Sequence, residues 1–274
     1  MIEVLGCLDK MKTELGNPVT YRLPVGETGL ELNSRIGQHL KFRYSGKIFC
    51  VHCHKKTAKS FNQGYCYPCF IRLAQCDMCI MKPETCHFAA GTCREPEWGL
   101  SFCFQPHVVY LANSSGVKVG ITRKTQIPTR WIDQGAVQAL PIFEAESRYV
   151  SGLVEVALAE HVSDKTSWQQ MLKNHVVTLD LPALRDDLLT KCSDKLTGIR
   201  QEFGEHALNY LADEHSLDIH YPVLQYPSKV KSFNLDTNPE VSGVLQGIKG
   251  QYLIFDSGVI NIRKFAGYEV EVLD

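Results

Sequence analysis

The sequence predicts a multi-domain α+β protein, in which a zinc-ribbon-like module precedes an α/β domain and β-rich segments occupy both ends. Cysteine is concentrated in one stretch, because nine of the eleven cysteines lie between Cys50 and Cys103. Alternating apolar and polar residues mark the two ends, whereas helical periodicity is confined to the middle of the chain. The segments expected on this basis are 1–47, 48–106, 107–180, 181–216 and 217–274.

Composition and charge narrow the class of protein. Hydrophobic residues make up 44% of the chain and charged residues 22%, as in an ordinary globular protein. No apolar run approaches the roughly 20 residues that span a bilayer, and the N-terminal stretch lacks a signal-peptide pattern. We therefore expect a cytoplasmic protein without a membrane partner. The formal net charge of −1 indicates that any nucleic-acid contact comes from local basic patches.

Two C-x-x-C pairs open the cysteine-rich module. Cys50 and Cys53 are followed, after 12 intervening residues, by Cys66 and Cys69. Each pair turns the backbone tightly enough to direct two sulfur atoms at one ion, and two pairs complete a tetrahedral zinc site. Cysteine density in a large chain without an export signal favours metal-bound thiolates over disulfides. We expect this closed site to stabilise structure and to take no part in catalysis.

A second structural zinc is predicted in the stretch that follows, where candidate ligands outnumber the four positions of a tetrahedral ion. The favoured ligands are Cys76, Cys79, Cys86 and Cys93, with His87 or Cys103 as alternatives. Because few hydrophobic residues lie between Cys50 and Cys93, metal binding is expected to supply much of the folding free energy of this segment.

Basic and aromatic residues are interleaved around these cysteines. They are Lys55, Lys56, Lys59, Arg72 and Arg94, with Phe61, Tyr65, Tyr67 and Trp98. Such a mixture can follow phosphates and stack on bases. It also suits a solvated surface around the small core that a zinc ribbon needs, and the sequence leaves both interpretations open.

The segment after the cysteines begins with two runs of strand-forming residues, 108–112 and 117–122. A turn cluster at 113–116 joins them, which predicts a β-hairpin. Pro128 suits the first turn of the helix that follows. Over 147–162 apolar residues recur at steps of three and four, so we expect a helix with one buried face.

The remaining segments are helical and then β-rich. Residues 184–211 are predicted to be strongly helical, with Gly198 or Gly204 as the point where the helix bends or divides. Residues 217–274 contain short strands with turns at Gly and Asp, which indicates a small barrel or an antiparallel sheet. Pairing with the strands of 1–47 is expected, since chain termini often lie close together.

The stretch "VVYLANSSGVKVGIT", followed by Arg130 and by a helix bearing Glu155, resembles the GIY-YIG nuclease domain. "VVY", ending at Tyr110, matches the first motif, and "KVG", ending at Gly120, matches the second. Lys118 stands where the second motif has its tyrosine. Nearly the whole chain, including "CREPEWG" and "GIKGQYLIFDSGVINIRKF", is similar to a bacterial domain-of-unknown-function family.

The nuclease resemblance implies a role for each matched residue. Glu155 would hold one Mg²⁺ or Mn²⁺ ion through oxygen. Tyr110 would orient or deprotonate the attacking water, while Arg130 would hold the scissile phosphate. Lys118 would assist electrostatically, and Gly120 completes the second motif.

Three functions fit these features. The leading expectation is a zinc-containing protein that acts on DNA or RNA as a divalent-metal-dependent endonuclease. The first alternative is a module that binds nucleic acid on a nuclease scaffold without cutting it. The second alternative is a zinc-stabilised scaffold for protein interactions.

Overall fold

The computed structural model describes residues 2–162 and 166–273, and within these residues the strands form three antiparallel sheets. In chain order the strands are β1 (Ile2–Cys7), β2 (Lys12–Glu14), β3 (Thr20–Val25), β4 (Thr28–Glu31), β5 (His39–Phe49), β6 (Lys56–Thr57), β7 (His107–Asn113), β8 (Val117–Arg123), β9 (Gln138–Ala145), β10 (Leu208–Tyr210), β11 (Leu217–Asp218), β12 (Glu240–Lys249), β13 (Tyr252–Phe255), β14 (Gly258–Asn261) and β15 (Tyr268–Leu273). The chain therefore has the mixed, β-rich architecture that the sequence predicts.

The helices are short and connect the sheets. They are α1 (Tyr67–Arg72), α2 (Pro96–Cys103), α3 (Thr129–Asp133), α4 (Arg148–Ala159), α5 (Trp168–Leu172), α6 (Leu181–Lys191) and α7 (Ser193–Phe203). Among the described residues, no helix has the length and apolar character required to cross a membrane.

The largest sheet contains strands from both ends of the chain. Its order is β1-β15-β5-β12-β13-β14, with β6 also beside β5. Phe42, Leu253 and Val270 are fully buried in its core. A smaller sheet, β2-β3-β4, adds Tyr21 and Leu23 to the same core. The first and last segments are thus joined by backbone hydrogen bonds and by one hydrophobic cluster.

The sheet that carries the candidate site has the order β10-β9-β7-β8, with β11 also beside β9. The predicted hairpin is confirmed, since β7 pairs with β8 in a register that sets Tyr110 opposite Gly120. Every residue of β7 is buried, as expected for a central strand. The helix that follows β9 begins where Ser147 accepts a hydrogen bond from the N–H of Val150, an N-cap that fixes the start of α4.

Helix α4 packs its apolar face on this sheet. Val150, Val154 and Leu158 are buried in one cluster with Val109 and Leu111 of β7. Their spacing of four residues places them along one face of the helix, so the predicted amphipathic helix is confirmed. The opposite side of α4 is left to carry polar residues.

The helical segment is shorter and more divided than the sequence predicts over 184–211. The break falls at Cys192, not at Gly198. Gly204 adopts a φ of +93° and ends α7, after which Leu208 is buried in a strand beside β9. The prediction is wrong for the end of this segment, because a strand of three residues is too short to show a periodicity distinct from that of a last helical turn.

Candidate functional site

The four cysteines of the two C-x-x-C pairs form one group. The Sγ atoms of Cys50, Cys53, Cys66 and Cys69 all lie within 4.8 Å of one another. The sulfurs of Cys53 and Cys66 are 3.7 Å apart, close to the edge of about 3.8 Å in a tetrahedron with zinc–sulfur bonds of about 2.3 Å. The described residues include every cysteine, and none forms a disulfide. This group can hold a zinc ion.

Local backbone structure directs these thiols and alters their pKa values. Burial acts to raise the pKa of Cys50, but backbone N–H groups of Cys53, Cys66 and His52 lower it to about 6. Burial and hydrogen bonds with the neighbouring sulfurs raise the pKa of Cys69 to about 12. A divalent cation bound among these sulfurs would favour thiolate at all four positions, because it attracts the negative charge of each sulfur.

The later cysteines do not all join a second group in the way the spacing favours. Cys76 packs with the first group. A separate small cavity is lined by Cys79, Cys86, Cys93 and Cys103, together with Asp77, His87, Arg94 and aromatic residues. Both alternative ligands from the sequence, His87 and Cys103, therefore lie at this cavity.

The aromatic residues of the module pack largely on one another. The rings of Phe61 and Phe70 are stacked with centroids 5.7 Å apart, and Tyr67 lies 5.4 Å from Phe61. Lys59 lies over the Phe61 ring at 5.3 Å. Phe70 packs against the first cysteine group and Phe61 packs on Phe70, whereas Tyr67 is 56% exposed.

A larger cavity lies between the hairpin, α3, α4 and the second cysteine stretch. Its volume is 320 Å³, and it is lined by both Arg130 and Glu155. Tyr110 lies behind it, fully buried, and its hydroxyl donates a hydrogen bond to Oε1 of Gln134 at 3.1 Å. Lys118 lies close enough for its charge to lower the pKa of Glu155. The motif residues therefore lie near one another, but Tyr110 does not line the cavity.

Gly120 provides the space for the Tyr110 ring. A Cβ atom at this position would lie 2.8 Å from the Tyr110 hydroxyl oxygen, which is closer than real side chains pack. Burial raises the pKa of Tyr110, while the positive charge of the nearby Arg130 acts in the opposite direction. The tyrosine is therefore a neutral, packed group in contact with the arginine of the cavity.

Basic side chains that the sequence prediction left out of the site complete this surface, which we call the arginine cavity. They are Lys10, Arg123, Arg148 and Arg263. Arg148 precedes Glu155 by seven residues, which is two helical turns, so helical spacing offered a signal for it. Lys10 and Arg263 come from opposite ends of the chain, and no local pattern links them to the site.

The charges of the arginine cavity are unequally matched. Lys10 forms an ion pair with Asp133, whose carboxylate also accepts a hydrogen bond from Gln251 at 2.8 Å. Burial lowers the pKa of Arg263, and the charge of Arg130 acts in the same direction. The positive charges of Arg130 and Arg263 therefore repel each other. Glu155 is the remaining carboxylate in the lining of the cavity.

Arg148 has charge partners nearby but one unused hydrogen-bond donor. Its Nη2 donates to the carbonyl of Ile80, but its buried Nε–H has no hydrogen-bond partner among the described residues. Burial is also the main cause that lowers its pKa. Leaving a buried donor of a cation without a partner destabilises the folded state unless an anion binds beside it. An anion beside Arg148 would satisfy this donor.

Glu155 differs from the arginines because it can change its charge near neutral pH. Burial raises its pKa to about 7, and Glu84 acts in the same direction, whereas the positive charges of Arg148, Arg130 and Lys118 oppose the shift. A proton or a divalent cation would relieve the cost of this half-buried carboxylate. A carboxylate that lines a cavity with space for water fits the preference of Mg²⁺ for oxygen ligands.

Comparison with known protein families shows which family the chain belongs to. A family model described as "Protein of unknown function (DUF2797)" matches residues 37–270. The chain belongs to this family. No curated protein and no solved structure matches it. The matched range of the DUF2797 chain contains both cysteine groups and every residue of the arginine cavity except Lys10.

Proposed function

We propose that this DUF2797 protein binds nucleic acid in the arginine cavity and hydrolyses a phosphodiester bond there with the help of a divalent cation. One observation carries the proposal: four arginines, Arg123, Arg130, Arg148 and Arg263, converge on one cavity whose remaining carboxylate is Glu155. Planar guanidinium groups match the geometry of phosphate oxygens and remain charged at any physiological pH. A phosphate group is the biological anion that best suits such an arrangement.

The order of elements supports the same proposal. A hairpin is followed by α3, which carries Arg130, then by β9 and by α4, which carries Glu155. The GIY-YIG resemblance implies this order of hairpin, arginine helix and glutamate helix. Because one fold serves many functions, the likeness of order supports the proposal without deciding the chemistry.

The residues of the cavity would divide the work of hydrolysis. Arg130 and Arg148 would bind the phosphate and stabilise the negative charge that develops on it during the reaction. Glu155, with Glu84 beside it, would supply oxygen ligands to Mg²⁺ or Mn²⁺. Such an ion, when bound, supplies charge stabilisation at the leaving oxygen and an activated water.

We assign Tyr110 to positioning and not to proton transfer. Its hydroxyl is buried, is held by Gln134 and contacts Arg130, so its effect on the phosphate would pass through the arginine. This burial also favours the second candidate function, a nucleic-acid-binding module that has kept the nuclease scaffold without its cutting activity.

The first cysteine group has a separate role in the proposal. Four thiolates around one zinc ion leave no open position for substrate, so this site would hold the module in shape. A second structural zinc would act in the same way. Neither ion would take part in hydrolysis.

The test is a joint binding and cleavage assay with labelled single- and double-stranded DNA and RNA in Mg²⁺ or Mn²⁺. Wild-type protein is expected to bind in a salt-sensitive manner and to cut. Arg130→Ala is expected to weaken binding by about 10- to 100-fold, since a hydrogen bond to a charged group contributes about 1.5–3 kcal/mol. Arg43→Ala, at an exposed arginine of β5 outside the cavity, is the control and should bind normally.

Glu155→Gln separates the two candidate functions. The variant should lose cleavage but retain or strengthen binding in the absence of divalent cations, because it removes negative charge from the cavity. Wild-type binding without cleavage would select the non-catalytic module. Absence of both from the wild type, with zinc bound, would contradict the proposal and favour a scaffold for protein interactions.

A further inference from the structure

Five cysteines lie between residues 76 and 103, and four of them line one small cavity. The four are Cys79, Cys86, Cys93 and Cys103. The cavity volume is 20 Å³, compared with about 10–15 Å³ for a single water-sized sphere. The space suits one ion and excludes an organic ligand.

Aromatic rings and one glycine close this cavity. The centroids of Phe88 and Phe104 lie 4.8 Å apart, and Trp98 forms another part of the wall. A Cβ atom at Gly99 would lie 3.2 Å from the Phe88 ring and 3.4 Å from the sulfur of Cys93. A side chain at this position would displace the ring or the sulfur, so the glycine of α2 permits the close packing around the thiols.

Cys76, which the C-x-x-C spacing favours as a ligand, lies on the other side. It is buried in the cluster that contains Cys50, Cys66 and Cys69. Among the described residues it does not line the second cavity, whereas Cys103, at the end of α2, does. Cys103 therefore takes the position at this cavity that the C-x-x-C spacing assigns to Cys76.

Asp77 and His87 also border the cavity, and their ligand atoms lie within 4.8 Å of the Cys79 sulfur. The Asp77 carboxylate is already engaged, whereas the His87 ring is held through Nδ1 and its Nε2 lies 3.5 Å from Asp77. The Asp77 carboxylate accepts the N–H of Cys79 at 3.1 Å and pairs with Arg94 at 2.6 Å. The His87 Nδ1 lies 2.8 Å from Oγ1 of Thr92. They brace the loop around the sulfurs, as hydrogen-bonded groups do around metal ligands.

We propose that Cys79, Cys86, Cys93 and Cys103, which line this cavity without all lying within 4.8 Å of one another, draw together around a zinc ion in a second closed four-thiolate site that fixes one wall of the arginine cavity. Four thiolates around Zn²⁺ leave a net charge of about −2. Arg94 lies at the same cavity, and Arg148 is close enough to interact with Cys103 and Cys79. Arg148 would offset part of this charge, whereas Arg94 already pairs with Asp77.

The loop that carries Cys79 and Cys86 is shared by the two cavities. Between them, Ile80, Met81 and Pro83 line the arginine cavity. Arg148 binds the carbonyl of Ile80. The ligands of the metal thus lie at either end of the wall against which the arginine is held.

The end of α2 makes a second connection. Cys103 faces the sulfur cavity, while the preceding residue, Phe102, lines the arginine cavity. The guanidinium of Arg123 lies over the Phe102 ring at 4.3 Å. Metal binding at Cys103 would therefore hold the surface on which Arg123 rests. The importance of this wall for substrate rests on the proposed function, but the metal site does not.

Native mass spectrometry of the full chain tests the ligand set by counting zinc ions. Wild-type protein, Cys76→Ser and the control Cys7→Ser should each hold two ions, whereas Cys103→Ser and Cys86→Ser should each hold one. A wild type with one ion would overturn the site. So would loss of an ion from Cys76→Ser or His87→Ala while Cys103→Ser keeps both.

X-ray absorption at the zinc edge tests the same set without any substitution. The expected first shell of the wild type is sulfur alone at about 2.3 Å. A nitrogen or oxygen contribution at about 2.0–2.1 Å would assign Asp77 or His87 as a ligand and overturn the four-thiolate site.

Hydrogen exchange tests whether the metal fixes the wall. In Cys103→Ser, backbone amides of residues 80–85 should exchange at least about 10-fold faster than in wild type, because the closed loop opens more often. Unchanged exchange after loss of one zinc would leave the metal site standing and overturn its role in the wall. Neither readout requires nucleic acid, so failure of the proposed function would be seen separately, in the binding assay.

Discussion

The first cysteine group and the arginine cavity belong to the same chain but are built in opposite ways. The sulfur atoms of the first come from two turns separated by 12 residues, so short-range spacing determines the site. The second collects side chains from Lys10 to Arg263 and depends on a sheet and two helices to bring them together. We propose that the first region depends on a bound ion for its stability, whereas the second rests on a hydrophobic core and binds an anion that balances its charge.

Removal of zinc should give the largest effect and should divide the two regions. A chelator is expected to unfold residues 50–72, because three of the four cysteines are among the few buried residues there and zinc contributes roughly 10–16 kcal/mol in isolated zinc-finger peptides. The β7–β9 sheet should persist, since it has its own cluster of buried residues. Hydrogen exchange by mass spectrometry before and after chelation measures both.

Two results would contradict this division. Unchanged exchange over 50–72 after complete zinc loss would show that the metal contributes little to folding. Simultaneous loss of protection in β7 and β9 would show that the two regions unfold as one unit. Cys7→Ser, at a cysteine of β1 outside both groups, is the control for loss of a thiol as such.

A glycine substitution at the contact between the regions should give the next largest effect. In Gly152→Ala the new Cβ would lie 2.6 Å from the Cβ of Pro83 and 2.8 Å from the backbone nitrogen of Glu84. We expect the free energy of unfolding to fall by about 1–3 kcal/mol, as for overpacked cores, and the wall of the arginine cavity to move. Urea denaturation measures the first, and oligonucleotide affinity measures the second.

Gly198→Ala is the matched control for this change. The position lies within α7, and nothing lies within 4 Å of its added Cβ. Alanine there should raise the free energy of unfolding by about 0.5–1 kcal/mol, because it favours the helix. A stabilising effect at Gly152 as well would mean that α4 and the loop at Pro83 are not in close contact.

The smallest effect expected is the pH dependence caused by Glu155. Its pKa of about 7 in the folded state exceeds its ordinary value of 4.5, so between these values the folded state binds more protons than the unfolded state. The free energy of unfolding contributed by this group therefore falls as pH rises from 4.5 to about 7.

Glu155→Gln should remove this dependence. Its stability should exceed that of the wild type at about pH 7.5 and approach it at about pH 5, measured by urea denaturation without added divalent cations. Glu202→Gln, at an exposed position of α7, is the control and should follow the wild type. Identical pH profiles for all three proteins would show that Glu155 is not perturbed by its surroundings.

The comparison also explains what the sequence could predict. The hairpin, α4 and the first cysteine group depend on spacings of two, four and three residues, and each lies where these spacings indicate. Arg148 lies two turns before Glu155 on α4, so helical spacing also predicts that it shares a face with the glutamate. In each case the partners are close in sequence, so local geometry decides.

Other features depend on distant contacts that spacing cannot encode. The place of Cys103 in the second sulfur cavity follows from the packing of α2, and the place of Arg263 from the pairing of the terminal strands with β5. The burial of Tyr110 follows from its central strand and from the space left by Gly120. The motif resemblance identified Tyr110 and Gly120, but it could not predict that Tyr110 is buried.

The central claim is that nucleic acid contacts the arginine cavity and not the basic surface of the cysteine module. Photocrosslinking of the zinc-loaded protein to an oligonucleotide with photoreactive bases, followed by mapping of the linked peptides, tests it most directly. The account predicts crosslinks in residues 80–83 and 121–130, and their loss in Arg130→Ala. Crosslinks confined to residues 55–67, or none at all at low salt, would contradict it.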